Sequence, residues 1–226
     1  GPSMDQENQR GTTASNYVAI DTGRLETFSD GVFAIAMTLL VIEISVPHIG
    51  NESEGITLFG ALIEEWPSYL AYMISFLGIG ILWANHHNRF RYIARSDHGL
   101  IFLNTLFLMC VAFFPFSTAL LSEYMRSAER TTAVAVYSGT LATTLIVFTL
   151  IWLYASRNYR LIDFNLDPAL LRKMSRRYML ATALHIFAFA IAFVSAPLSI
   201  ALLVGLAVRL ALPESATSPQ TGGSQP

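Results

Sequence analysis

The chain has 226 residues, of which 53% are hydrophobic and only 13% charged. Soluble domains carry about 25% charged residues, so the composition points to a membrane protein, and the long apolar runs exclude a disordered chain. A formal net charge of -2, with no basic arm and no zinc-finger spacing, gives no ground for nucleic-acid binding.

Residues 1–20 are polar and lack the apolar core of a secretory signal. Gly1-Pro2-Ser3 before Met4 has the form of a protease-cleavage scar, so the native chain is expected to start at Met4. Residues 1–23 are read as this scar and a polar tail. The tail from Pro213, PESATSPQTGGSQP, is rich in Ser, Pro, Gly, Thr and Gln and is expected to be disordered.

Six apolar spans are placed between the tails: Phe28–Val46, Trp66–Phe90, Leu100–Leu121 with Pro115 inside it, Thr131–Tyr154, Tyr178–Val194 and Pro197–Leu212. Most approach the ~20 residues that cross ~30 Å of hydrocarbon. The last two form an almost continuous run. As one helix it would reach about 52 Å, too long for a single crossing unless tilted and kinked at Pro197. Ser195-Ala196-Pro197 is read as the hairpin between them, since Pro favours a first helical turn.

Charge placement orients the spans. With the N-terminus inside, Arg10, Arg24, Arg89, Arg91, Arg95, Arg157, Arg160, Arg172, Lys173, Arg176, Arg177 and Arg209 lie on the inner side, twelve of the fourteen basic residues. Only Arg126 and Arg130 fall outside. The positive-inside rule then puts both termini in the cytoplasm. The outer loop between the first two spans carries Glu52, Glu54, Glu64 and Glu65. It is either an acidic mouth that concentrates cations or a solvated loop. In the inner loop Ser156–Arg177, Asp167 and Pro168 are placed to cap and start a short interfacial helix.

The stretch RLETFSDGVFAIAMTLLVIEISVP, Arg24 to Pro47, is the most unusual. Gly31, Ile35, Thr38, Ile42 and Ser45 recur at spacings of three and four and share one helix face, with Leu39 at its border. Around a symmetry axis, Ile35 and Ile42 would form apolar rings that gate by dewetting, with a Thr38 hydroxyl ring between them. The same stripe of small residues and Thr also serves ordinary helix packing. Ser29 and Asp30 either cap this helix or form a polar cluster with Trp83, Asn85, His86, His87 and Arg89, which lie at the same depth in the second span.

Metal chemistry is poorly supported. His86 and His87 are adjacent and point about 100° apart on a helix, and Asp97 and His98 are placed in a loop. No HExxH, CxxC or GxSxG pattern occurs. The lone cysteine, Cys110, cannot form an internal disulfide, and His185 is read as an interhelical contact.

The run at Arg24 and the later WPSYLAYMISFLGIGILWANHHNRFRYI resemble the prokaryotic members of the TMEM175 family, from Arg24 to Ile93. The resemblance implies an all-α membrane protein with six helices per subunit over residues 24–212, assembled as a homotetramer around a pore lined by the first helix. It implies a potassium-permeable cation channel, not an enzyme, in a prokaryotic plasma membrane, with permeating potassium and no cofactor. The TVGYG filter of ordinary potassium channels is absent from the family and from this chain. The family's apolar constriction falls on Ile35, with Leu39 and Ile42 beyond it, and its hydroxyl selectivity layer on Thr38. Arg24, Phe28, Ser29 and Asp30 carry the family signature, with Trp83, His86 and His87 as partners that hold helices together. Selectivity for potassium is expected to be weak rather than strict. A proton-coupled transporter using Asp30, His86 and His87 is the competing reading, although transporters commonly show paired repeats and broken spans, and only Pro115 lies clearly mid-span.

Overall fold

The computed structural model of the chain describes residues 22–47, 57–163 and 166–211. The polar N-terminal tail, Glu52 and Glu54 of the outer loop, and the tail from Pro213 lie outside them. Among the described residues the architecture is all-helical, with one isolated bridge between Ile93 and Ile162.

Helix α1, Thr22–Leu39, continues as a 3-10 turn, Leu40–Glu43. It starts six residues before the expected Phe28 and stops three before Val46. The chain leaves the helix at Ile44, which is extended, because Pro47 disfavours helical geometry just ahead of it. Ser29 and Asp30 therefore sit in the body of the helix and do not cap it. A short helix not expected from the sequence, α2 (Leu58–Glu64), follows. Thr57 caps it by accepting from the Gly60 N–H at 3.1 Å. Helix α3 spans Trp66–Phe90, as expected, with Pro67 in its first turn.

The third span is α4 (His98–Ala112) followed by α5 (Phe114–Tyr124). Pro115 has no N–H and its ring crowds the preceding turn. The chain bends at Phe113, which stays helical in conformation, so the pair reads as one crossing of residues His98–Tyr124. Asp97 and His98 are not in a loop: Asp97 caps α4, accepting from the Leu100 N–H at 2.9 Å, and His98 begins it. Helix α6 runs Arg130–Ser156.

Helix α7, Pro168–Ala192, merges the expected interfacial helix and fifth span into one element. Asp167 caps it through the Ala169 N–H at 2.8 Å, and Pro168 opens it. Nothing between Ser175 and Tyr178 breaks a helix, so there is no reason for two elements. Helix α8, Ala196–Ala211, turns back after Phe193–Ser195.

Four helices among the described residues are long and apolar enough to cross a membrane: those of Thr22–Glu43, Trp66–Phe90, His98–Tyr124 and Arg130–Tyr159. Helix α6 is the hub, packing against α4, α5, α7 and α8. Interhelical hydroxyl bonds supplement packing that has little hydrophobic drive in lipid. Ser75 donates to Tyr137 at 3.0 Å, Thr118 donates to Ser75 at 2.7 Å, and Thr149 and Thr182 share a bond of 2.8 Å. On the basic side, the Ala94 and Arg95 N–H groups both donate to the Leu161 carbonyl, which clips together the loops after α3 and α6.

By contrast α1 is peripheral. Only 28% of its apolar window is buried inside the subunit, against 61% for α6. It packs on α3, α4 and α5 along one side, burying Ser29, Phe33 and Ala36.

Candidate functional site

The outward side of α1 is the stripe singled out by its spacing. Ile35 is 62% exposed and Ile42 73% exposed, and Gly31, Thr38, Leu39 and Ser45 are exposed with them. Ile42 lies in the 3-10 turn, where residues three apart eclipse, so it stands over Leu39. The Thr38 hydroxyl donates to the Ile35 carbonyl at 2.9 Å. Its proton is thus turned toward the helix, and its outward side offers oxygen lone pairs. The stripe accordingly alternates apolar bulk with an acceptor.

One turn nearer the N-terminus, α1 meets its neighbours through two polar layers. In the outer layer the Trp83 indole N–H donates to Asp30 Oδ1 at 2.8 Å. His87 Nδ1 lies 2.7 Å from Glu26 Oε1. Asp30 lies one turn after Glu26, and His87 one turn after Trp83, so α1 and α3 meet in two rungs. The Trp83 and His87 rings also stack at 6.0 Å and 28°.

The inner layer is buried. Ser29 donates to the Leu25 carbonyl at 2.8 Å and accepts from Asn104 Nδ2 at 2.9 Å. Asn104 Oδ1 then faces His86 Nε2 at 3.0 Å, which sets Nε2 as the protonated nitrogen of His86. The His86 ring stacks on Phe107 at 5.2 Å and 2°. Its Nδ1 has no hydrogen-bond partner among the described residues. Adjacent residues of α1 thus reach different helices: Asp30 reaches α3 and Ser29 reaches α4. His86 and His87 diverge likewise, one into the core and one to the surface.

Arg89, from the same end of α3, is fully buried. Its Nη1 donates to the Phe148 carbonyl, and its guanidinium lies 3.6 Å from the centroid of the Phe148 ring and 5.9 Å from that of Phe107. Aromatic faces solvate a cation where no carboxylate is at hand. Asn85 donates back to the Ile81 carbonyl at 2.8 Å and takes no part in the cluster. Arg24 and Phe28 face outward on the exposed side of α1, and the fold does not bring them to the polar layers. His185 is buried on α7, its Nδ1 2.8 Å from the Ala181 carbonyl.

Asn104 was missed by the sequence reading, although an amide inside the apolar run of Leu100 to Phe116 is a signal in itself. Glu26 was missed because its partner sits 61 positions away, on another helix.

Residues 24–115 match the family model described as the endosomal/lysosomal potassium channel TMEM175. Over 196 residues the chain is 42% identical to a potassium channel of Chamaesiphon minutus, covering 87% of this chain and 96% of that protein. The chain belongs to the TMEM175 family. It is also 44% identical to a potassium channel of Streptomyces collinus over 182 residues, covering 80% of this chain and 87% of that one. The crystal structure of a lysosomal potassium-selective channel TMEM175 homolog from Chamaesiphon minutus superimposes with a TM-score of 0.77 at 40% identity. That match covers 84% of this chain and 96% of the other. The TMEM175 match includes α3, α4 and all but the first two residues of α1, and so every residue of both polar layers, with Asn104 among them.

Proposed function

We propose that this TMEM175-family chain is a potassium-permeable cation channel, built as a homotetramer around an axis lined by the outward stripe of α1. The observation that carries the proposal is that stripe. Helix α1, packed on its neighbours along one side, leaves Ile35, Leu39 and Ile42 uncovered, with a hydroxyl acceptor between them. Fourfold symmetry would turn each residue into a ring. The relatives named as potassium channels support the choice of cation.

In this reading Ile35 forms the constriction, and Leu39 and Ile42 extend it. Such apolar rings stay dry until they widen, and wetting then admits the ion. Thr38 supplies oxygen lone pairs that replace part of the ion's water. Ser29, Asp30, Trp83, His86 and His87, joined by Asn104 and Glu26, hold α1 at a fixed rotation, so that the stripe and not its neighbours meets the axis. Arg24 and Phe28, exposed in one subunit, would pack at the subunit contacts. Six crossings complete the topology, with α7 and α8 as the last two, and the positive-inside distribution places both termini in the cytoplasm of a prokaryotic cell.

The transporter reading is less well supported. Asp30 bonds to an indole, which only donates, and the buried chain from His86 runs through the Asn104 amide, not through a carboxylate. Neither of these two links passes a proton onward, and the His87–Glu26 pair lies toward the surface, apart from both. Purified protein in planar bilayers under a potassium gradient tests the proposal. Discrete currents that reverse toward the potassium potential are expected. Silent bilayers with proton-coupled uptake in liposomes would reverse the assignment.

A further inference from the structure

We propose that an anionic phospholipid binds each subunit in the crevice between α3, α6, α7 and α8, with one acyl chain inside the crevice and its headgroup on the basic face of α7. The inference rests on the membrane-spanning reading and does not require ion conduction.

Two observations meet at this place. The first is the crevice itself. Gly78 and Leu82 of α3, Leu145 and Phe148 of α6, Ala181 of α7 and Leu203 of α8 give it an apolar lining. Along α3 its wall runs from Ile74 to Asn85, a rise of about 16 Å at 1.5 Å per residue. That is about half of the ~30 Å hydrocarbon thickness, the depth of one leaflet. The space beside Gly78 is open, since a Cβ there would meet nothing within 4 Å.

The second is charge. The crevice is not apolar throughout: Asn85 and Arg177 line it on the side where α3 ends and α7 begins. Arg177 belongs to a group of four exposed cations, with Arg172, Lys173 and Arg176, in the first half of α7. Helix α7 contains no acidic residue. Trp152 donates to Ser175 at 2.9 Å and holds this basic half against α6. A cluster of four or more Lys and Arg beside a membrane span is the electrostatic signature of anionic lipid recognition. Here it stands at the mouth of a slot of one-leaflet depth, which fits a phospholipid better than a free phosphate or a soluble acidic partner.

Native mass spectrometry of the detergent-extracted full chain tests this. The protein is stripped of lipid and reloaded with phosphatidylglycerol or phosphatidylcholine of identical acyl chains. Wild type is expected to hold phosphatidylglycerol at least tenfold more tightly. Neutralising Arg172, Arg176 and Arg177 to Gln together should weaken it at least tenfold, given about fivefold per juxtamembrane charge. Filling the slot with Gly78→Leu, or with Ala181→Leu if the first variant does not fold, should abolish retention while the subunit stoichiometry stays unchanged. Equal retention of the two lipids would overturn the proposal. So would undiminished phosphatidylglycerol binding in the slot-filling variants, whether their stoichiometry is intact or changed; a change would mean that a second copy covers the crevice.

Discussion

Asn104→Leu removes the centre of the buried layer that ties α1 to α3 and α4. The two side chains branch alike at Cγ, so the change removes hydrogen bonding more than volume. Ser29 keeps its own donation to the Leu25 carbonyl and leaves no orphan proton. His86 loses its Nε2 partner, and Nδ1 already has none among the described residues. A buried unsatisfied donor costs about 1–3 kcal/mol, and an interhelical hydrogen bond in lipid averages about 0.6 kcal/mol. The expected loss is about 2 kcal/mol. At about 2–4 °C per kcal/mol for a chain of this size, the melting temperature should fall by about 4–8 °C. The assay is thermal unfolding in detergent, followed by the recovery of folded protein on size exclusion. His86→Phe keeps the ring stacked on Phe107 but orphans Asn104 Oδ1, and should cost a similar amount. The double variant should lose less than the sum, by about 1 kcal/mol or more, because neither partner is then left orphaned. Costs that add to within about 0.5 kcal/mol, or no loss for Asn104→Leu, would refute the coupling.

Ile35→Ser should ease wetting of the constriction and raise the leak current several-fold; unchanged conductance would remove Ile35 from the narrowest point. Thr38→Ala should lower the preference for potassium over sodium, and an unaltered reversal potential under bi-ionic conditions would argue against a role in selectivity. The Asp97 carboxyl is pushed up by partial burial, but bonds from the Leu100 N–H, the Tyr154 hydroxyl and Arg160 outweigh this and hold it below the usual carboxylate range. The stabilisation is therefore fully present above about pH 4, the unfolded value, and is lost as pH falls through the lower folded value. The gap in melting temperature between wild type and Asp97→Asn should be open at pH 6 and close toward pH 3; a gap that widens on acidification would contradict the sign.

Four of the apolar spans were legible because hydrocarbon imposes a length and a composition that few sequences meet by chance. Trp66–Phe90 was read to the residue. The ends were less legible, for physical reasons. Helix α1 extends back to Thr22 through polar residues that hydropathy cannot mark, and it tightens and stops at Glu43 because of Pro47. Helix α7 runs through Arg172–Arg177 without a break, since basic residues are good helix formers and a drop in hydropathy does not end a helix. Helix α2 is too short to show a period. In the site, the stripe of Ile35, Thr38 and Ile42 follows from local spacing alone. The pairings of Ser29 with Asn104 and Glu26 with His87 depend on the rotation of one helix against another, which no local pattern encodes.

The claim that most needs a direct measurement is that the stripe of α1 faces the ion path. In a Cys110→Ala background, single cysteines are placed at Thr38, at Ile42 and at Val32, which packs against the core on a different side of the helix. A small cationic thiol reagent is then applied during potassium current. Block at positions 38 and 42, with little effect at 32, is the predicted result. Current that persists at 38 and 42, or equal block at all three, would contradict the account.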